Sequence, residues 1–170
     1  MRHFVVALAL VCGASSTGVA QRVTVGPDVL AGIAGRDSGA PFGGVQARVQ
    51  VDLDAFAGSI AYRWIGIGRT CKTSLPPICG IDTPGGQLFL VGVSRRVAGG
   101  TGTHLRGGME IGVGRFLNNA STARDTRPLI GATLELRVPV GVGTVMIGGL
   151  VEWTRHIWFG AATLGFGVRI

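Results

Sequence analysis

Apolar and polar residues alternate with a period of two through most of the chain from Val23 to Ile170. In the clearest segment, Val45 and Val49 fall on one face, while Arg48 and Asp52 fall on the other. This is the period of a β-strand whose two faces meet different surroundings. The pattern recurs eight times and predicts strands at about 22–35, 43–55, 58–68, 87–97, 103–116, 129–140, 142–154 and 158–170.

The connections between these strands alternate in length. Those after the first, third and fifth predicted strands are long, and those after the second, fourth and sixth are short. Transmembrane barrels of the bacterial outer membrane have short periplasmic turns and longer outer loops. The pattern therefore predicts an all-β fold, an eight-stranded antiparallel up-and-down transmembrane β-barrel with both mature termini on the periplasmic side.

Composition changes the picture in the same direction. The mean hydropathy is +0.44 and 15% of residues are charged, against about 25% in soluble domains. No apolar run reaches the length of a transmembrane helix, and 30 glycines are too many for a helical protein. A soluble lipocalin-like barrel is the alternative. It is less favoured because its surface would consist of glycine and sparse charge.

Residues 1–20 resemble a secretory signal. A basic start at Arg2 is followed by the apolar run 4–11 and by small residues at 18–20. We expect a cleaved signal peptide over 1–20 and one barrel domain over 21–170. A lipoprotein anchored through Cys12 and an N-terminal strand or helix of the fold remain as alternatives.

The polar face of the strands carries acids and bases in near balance, together with many glycines. An eight-stranded barrel has an interior just wide enough for side chains, and buried charges must be paired because an unpaired one is expensive. We expect a lumen plugged by ion pairs among Arg48, Asp52, Arg63, Arg106, Glu110, Glu135, Arg137 and Glu152.

Two further sets are expected near the outer ends of the strands. Aromatic side chains favour the membrane interface, and the expected girdle comprises Phe42, Trp64, Phe89, Phe116, Trp153 and Trp158. Arginine binds phosphate through a planar fork, and the basic residues expected at the rim are Arg36, Arg69, Lys72, Arg115, Arg124, Arg127 and Arg155. They indicate contact with outer-membrane lipids and lipopolysaccharide, with ordinary solvated loops as the alternative.

Little in the sequence indicates catalysis. Cys71 and Cys79 form an even pair in one loop, which in an oxidising compartment predicts a disulfide. No histidine lies near them, so we expect no metal, and no cofactor motif is present. The mature chain has only His104 and His156, which do not form a nucleophile–base motif with a neighbouring serine. Nucleic acid is not expected as a partner, because the basic residues are dispersed.

The final part of the last predicted strand, 164–170, alternates to the final residue. Together with the signal and the eight strands, it resembles the small outer-membrane barrels of the OmpA/OmpX type, although Ile170 stands where that family usually has Phe. The resemblance implies an outer-membrane location and recognition by the barrel assembly machinery. We expect a monomer with a structural, adhesive or surface-interaction role and no enzymatic activity. A narrow small-solute or ion channel (porin-like) and a rim-active lipid-modifying enzyme are the alternatives.

Overall fold

A computed structural model of the chain describes residues 22–35, 40–66, 69–72, 78–81, 85–117, 124–155 and 157–170. The described part is all β. Its strands are β1 (Arg22–Gly35), β2 (Ala40–Leu53), β3 (Phe56–Ile65), β4 (Arg69–Lys72), β5 (Ile78–Ile81), β6 (Gly86–Gly99), β7 (His104–Leu117), β8 (Arg124–Val140), β9 (Gly143–Thr154) and β10 (Ile157–Arg169).

Eight of these strands form one closed antiparallel barrel in the order β1-β10-β9-β8-β7-β6-β3-β2. Closure is direct, because β1 pairs with β2 along one edge and with β10 along the other. A closed barrel leaves no unpaired sheet edge. The predicted eight-stranded antiparallel barrel is confirmed, and the eight barrel strands match the predicted ones to within a few residues at most ends.

The structure differs from the prediction inside the link between β3 and β6. The sequence predicted a loop over 69–86, whereas β4 and β5 pair there as a separate two-stranded sheet. The polar residues of β4 lack the apolar alternation that identified the barrel strands. This hairpin is therefore not part of the barrel wall.

The two ends of the barrel differ. One, which we call the turn end, carries the start of β1, the end of β10 and the short links β2–β3, β6–β7 and β8–β9. Two of these links are two-residue turns, Asp54–Ala55 and Gly141–Val142, with positive φ at Asp54 (53°) and Gly141 (59°), as tight hairpins of the favoured hand require. The opposite end, which we call the loop end, carries the remaining links.

Side chains alternate between the outside and the lumen along each strand. Ile111 and Val113 on β7 are 60% and 51% exposed, whereas Glu110 between the same neighbours is 9% exposed. The large exposed apolar residues form a continuous outer surface, and most of the buried polar ones point into the lumen. This is the inverse of a soluble barrel and the arrangement of a transmembrane one. Among the described residues, no helix is long and apolar enough to cross a membrane.

Candidate functional site

The lumen contains an apolar cluster in its loop-end half, which we call the apolar cap. Its centre is Phe159, which is 1% exposed. The Phe159 ring stacks on Phe116 (centroids 5.8 Å apart, 12° between planes) and meets Phe42 edge-on (5.8 Å, 84°). The cap comprises Leu30, Ala34, Phe42, Ala61, Ile65, Leu88, Leu90, Phe116, Leu129, Leu150, Phe159 and Ala161.

The cap corrects the predicted aromatic girdle. Phe42 (8% exposed) and Phe116 (3%) face the lumen rather than the lipid. The sequence already indicated this orientation. Phe42 lies an even number of residues from Gln46, and Phe116 from Glu110, so each has the same parity, and lies on the same strand face, as that inward residue. Proximity to the strand ends suggested a girdle, but strand parity decides the face.

The other four predicted girdle residues face outward near the loop end. Trp64 and Trp153 are each 50% exposed. Trp158 pairs with Trp153 across β9 and β10, and Phe89 pairs with Tyr62 across β3 and β6. Tyr62, which was not among the predicted girdle residues, is 49% exposed. Together with Trp64, Phe89, Trp153 and Trp158 it forms an outward aromatic set that we call the loop-end belt.

Arg63, 2% exposed, gathers the loop-end part of a polar network in the lumen. Its Nη2 lies 3.1 Å from Glu110 Oε1, and its Nη1 pairs with Glu152 Oε1. Its Nε donates to Gln46 Oε1 at 2.7 Å, and Gln46 Nε2 donates to Asp28 Oδ2 at 2.7 Å. Each of the three nitrogens of this guanidinium therefore has an acceptor inside the barrel.

Arg48 continues the network toward the turn end. Its Nη2 lies 3.1 Å from Asp28 Oδ1 and 2.6 Å from Glu135 Oε2. Glu135 Oε1 lies 2.5 Å from Arg137 Nε, and Arg137 Nη2 donates to Gln50. Asp28 and Glu135 are each shared between two partners, so these groups form a chain rather than separate pairs.

Asp52 joins the last members near the turn end. Its Oδ1 lies 3.3 Å from Arg106 Nη1 and 3.5 Å from Arg137 Nη1, and accepts a hydrogen bond from Gln50 Nε2 at 2.8 Å. The network thus connects all eight residues that the sequence analysis named for the lumen. It also includes Asp28, Gln46 and Gln50, which those eight omit although all three have inward parity.

Glycine makes room for these long side chains. Gly131 lies between Glu110 on β7 and Glu152 on β9. A Cβ at Gly131 would approach Glu152 Cγ to 2.7 Å and Glu110 Cγ to 3.3 Å. The absence of a side chain at Gly131 therefore leaves room for Glu110 and Glu152, both of which reach the Arg63 guanidinium.

The predicted basic rim is only partly described. Arg115 is exposed on the outer face near the loop end, between Gln87 on β6 and Thr126 on β8. Arg155 is exposed in the β9–β10 link, and Arg127 is half-buried with inward parity. Arg36 and His156 lie outside the described residues, as do the side chains of Arg69, Lys72 and Arg124. The described residues thus place Arg115 and Arg155, but not the full set, at this surface.

Two remaining candidates concern redox chemistry and catalysis. The backbone register of the β4–β5 hairpin places Cys71 directly opposite Cys79. His104 lies at the turn end, where its ring Nδ1 is 2.7 Å from the carbonyl oxygen of Gly102. It is therefore far from the loop-end belt at which a rim-active enzyme would act.

No family model matches the sequence, and no curated protein sequence matches it. Solved structures do match the fold. Neisserial surface protein A (NspA) superposes with a TM-score of 0.65 at 10% identity, covering 88% of this chain and 97% of that chain. Ail, the attachment invasion locus protein of Yersinia pestis, solved with the heparin analogue sucrose octasulfate, gives 0.57 at 11% identity, covering 88% and 99%. With this order of strands and these neighbours, the chain has the fold of the small eight-stranded outer-membrane barrels of the OmpA/OmpX type.

Proposed function

We propose that the protein is an integral barrel of the bacterial outer membrane, with the loop end at the cell surface and the turn end in the periplasm. It works as a monomer with a structural or adhesive role. The observation that carries the proposal is the inversion of the two faces. Ile111, with Val91 and Ile130 beside it on the neighbouring strands, exposes apolar surface at mid-strand, while the ionised groups lie inside. Only a lipid environment makes that arrangement favourable.

The lipid-facing assignment is tested by charge insertion. Ile111→Arg should lower the free energy of unfolding by about 2–4 kcal/mol in lipid vesicles, because Arg would lie near the bilayer midplane. Val142→Arg is the matched control, since Val142 is 79% exposed in a turn, and should change it by about 0–1 kcal/mol. Unfolding in urea, followed by tryptophan fluorescence, measures both. Equal effects would contradict the membrane assignment.

A closed lumen supports a surface role over a channel. The apolar cap occupies part of the loop-end half of the lumen, and each ionised side chain of the network is engaged by a partner. We propose that the wild-type protein does not conduct ions, and planar-bilayer recording tests this. Phe159→Ala combined with Phe116→Ala should increase conductance if the cap is the seal. Steady wild-type conductance unaffected by these substitutions would support the channel instead.

The outer surface near the loop end suits contact with anionic lipid. Arg115 lies on the lipid-facing side, one strand from Gln87 and two from Trp64. This combination of an interfacial aromatic residue with a guanidinium fits a lipopolysaccharide phosphate held at the interface. The polyanion bound to Ail in its solved structure supports an anionic partner for such a surface. The other rim residues named from the sequence belong to the same proposal.

Binding of purified lipopolysaccharide to the detergent-solubilised protein tests this contact. Arg115→Gln together with Arg155→Gln should weaken binding about tenfold, since hydrogen bonds to charged groups are the strong ones. Arg95→Gln is the control, because Arg95 is also on the outer face but lies toward the turn end over the Phe56 ring. An equal loss in the control would indicate nonspecific charge attraction.

The export signal and the absence of catalysis are part of the same proposal. Cleavage after Ala20 would leave Gln21 as the first residue, which N-terminal sequencing of the membrane-inserted protein detects. An intact N-terminus, or a lipid on Cys12, would contradict it.

We also propose that no lipid is modified at the rim. Lipid analysis of cells expressing the wild type and His156→Ala should give identical profiles.

A further inference from the structure

The lumen widens at the turn end into a cavity of about 310 Å³, which we call the basic vestibule. It lies at the opposite end of the barrel from the outward-facing aromatic residues and from Arg115 and Arg155. Five arginines contribute to its lining: Arg22, Arg96, Arg106, Arg137 and Arg169. The first and last barrel strands, β1 and β10, bring this charge to one mouth together with β6, β7 and β8.

Three of the arginines have no countercharge. Arg106 and Arg137 share Asp52, but Arg22, Arg96 and Arg169 form no ion pair with any described residue. Among the described residues that line the mouth, Asp52 and Asp54 are the only acids. Even an α-carboxylate on Ile170 would leave an excess of positive charge.

The mouth also has hydrogen-bond donors that are only partly used. Arg96 Nε is buried without a hydrogen-bond partner among the described residues, while its Nη2 donates to the Asp54 carbonyl at 3.2 Å. Arg169 Nη2 reaches only Thr144 Oγ1, at 3.4 Å. A buried donor without an acceptor is costly. An acceptor-rich group in the cavity would relieve that cost.

The floor of the vestibule is rigid and polar. Arg106 and Arg137 are 2% and 3% exposed and are held by Asp52, while Thr24 and Thr144 are buried in the wall. His104 Nδ1 donates to the Gly102 carbonyl, because a carbonyl oxygen only accepts, so the proton is on Nδ1. The ring is thereby fixed in the lining with its other nitrogen free of that bond.

We propose that the basic vestibule binds a phosphate group, either of a small soluble phosphate or of a phospholipid headgroup at the turn-end interface. A tetrahedral phosphate group offers several acceptor oxygens and negative charge, and guanidinium groups bind phosphate bidentately. Arg96, Arg169 and Arg22 supply the unpaired charge, and the two buried threonine hydroxyls lie in the same lining. The site is separate from the loop-end surface, so it stands or falls independently of the adhesive role.

Pyrophosphate titrated calorimetrically into the full protein in an uncharged detergent tests the proposal. The wild type should bind one equivalent, and Arg96→Gln should weaken binding about tenfold. Arg95→Gln is the matched control, because it removes the same charge one residue away, where the side chain lies outside the barrel, 5.6 Å above the Phe56 ring. It should change affinity less than about twofold. Absence of binding, or equal losses in the two variants, would overturn the site.

Folding and ligand source need separate readouts. Heat-modified gel mobility verifies that each variant forms a barrel, and Arg169→Gln gives an independent second test should Arg96→Gln fail to fold. The ¹⁵N resonance of Arg96 Nε distinguishes the sources. A shift only on adding pyrophosphate indicates a soluble phosphate, and the same shift in phosphatidylglycerol nanodiscs without added anion indicates the headgroup. No shift under either condition would overturn the proposal.

Discussion

The two halves of the lumen differ in the side chains that occupy them and in their access to solvent. In the loop-end half, Arg63 and Glu152 are each 2% exposed and lie among the residues of the apolar cap, with Glu152 paired directly across from Phe159. In the turn-end half, the side chain of Asp52 is 22% exposed and the basic vestibule opens beside it. Arg63 and Glu152 are thus enclosed by protein, whereas the carboxylate of Asp52 also reaches solvent, although Arg106 and Arg137 beneath it are themselves buried.

The difference shows that inward position alone does not define the energetics of a lumen charge. Desolvation makes a buried pair costly to break, because the partner left behind cannot be rehydrated. A group with access to water loses much less when its partner is removed. Substitutions in the two halves should therefore differ strongly although all of them face the same lumen.

The largest effect is expected at the centre of the loop-end network. Arg63→Leu should lower the free energy of unfolding by about 3–5 kcal/mol, because it leaves the carboxylates of Glu110 and Glu152 buried without a cation. Arg22→Leu at the exposed mouth should change it by less than about 0.5 kcal/mol. Urea unfolding in vesicles measures both. Similar losses would remove the distinction between the halves.

The loss of stability caused by Arg63→Leu should be partly reversed by neutralising the two carboxylates that it leaves unpaired. Arg63→Leu combined with Glu110→Gln and Glu152→Gln should recover about 1–3 kcal/mol relative to Arg63→Leu alone, because neutral buried groups cost less than unpaired ions. Recovery is the result that separates a charge effect from lost packing. No recovery would mean that Arg63 stabilises the barrel through its volume alone.

The apolar cap should respond to lost volume. Phe159→Ala is expected to cost about 3 kcal/mol, the lower end for buried Phe→Ala, since the flanking rings can move into the space. Phe159→Leu keeps more of the volume and should cost clearly less. The same unfolding assay applies. A cost for Phe159→Ala as small as that of Phe159→Leu would show that the cap is loosely packed.

Two conservative substitutions, one of a cap residue and one of a network residue, refine the comparison within the loop-end half. Leu88→Met in the cap should cost less than about 1.5 kcal/mol, because volume-conserving apolar exchanges are tolerated. Arg63→Lys keeps the charge but loses the fork that reaches Gln46, Glu110 and Glu152 together, and should cost more than Leu88→Met. The opposite order would show that the charge of Arg63 suffices without its geometry.

Alternation with a period of two was enough to predict eight strands, their faces and the lumen position of residues such as Arg48 and Glu135. The apolar cap was not predicted. Closeness to the strand ends placed Phe42 and Phe116 in the girdle, whereas their parity places them in the lumen. The pairing of Arg63 with two carboxylates could not be predicted either. It depends on the stagger of β3 relative to β7 and β9 around the closed barrel, which no local pattern contains.

The smallest effect on the barrel is expected from the β4–β5 hairpin, which belongs to neither half. Directly opposite residues of an antiparallel pair have Cα atoms about 4.5–5.5 Å apart, and disulfides span about 4.4–6.8 Å. The register of Cys71 and Cys79 therefore fits the disulfide that the cysteine spacing predicted, and we propose that it forms. Without reductant, the unfolded mature chain 21–170, which lacks Cys12, should not react with a maleimide, and it should take up two equivalents after reduction. Cys71→Ser with Cys79→Ser should change barrel unfolding by less than about 0.5 kcal/mol, because the hairpin is a separate sheet. A larger loss would mean that the hairpin packs on the barrel and helps to close the loop end. In that case the apolar cap would not be the sole seal of that half.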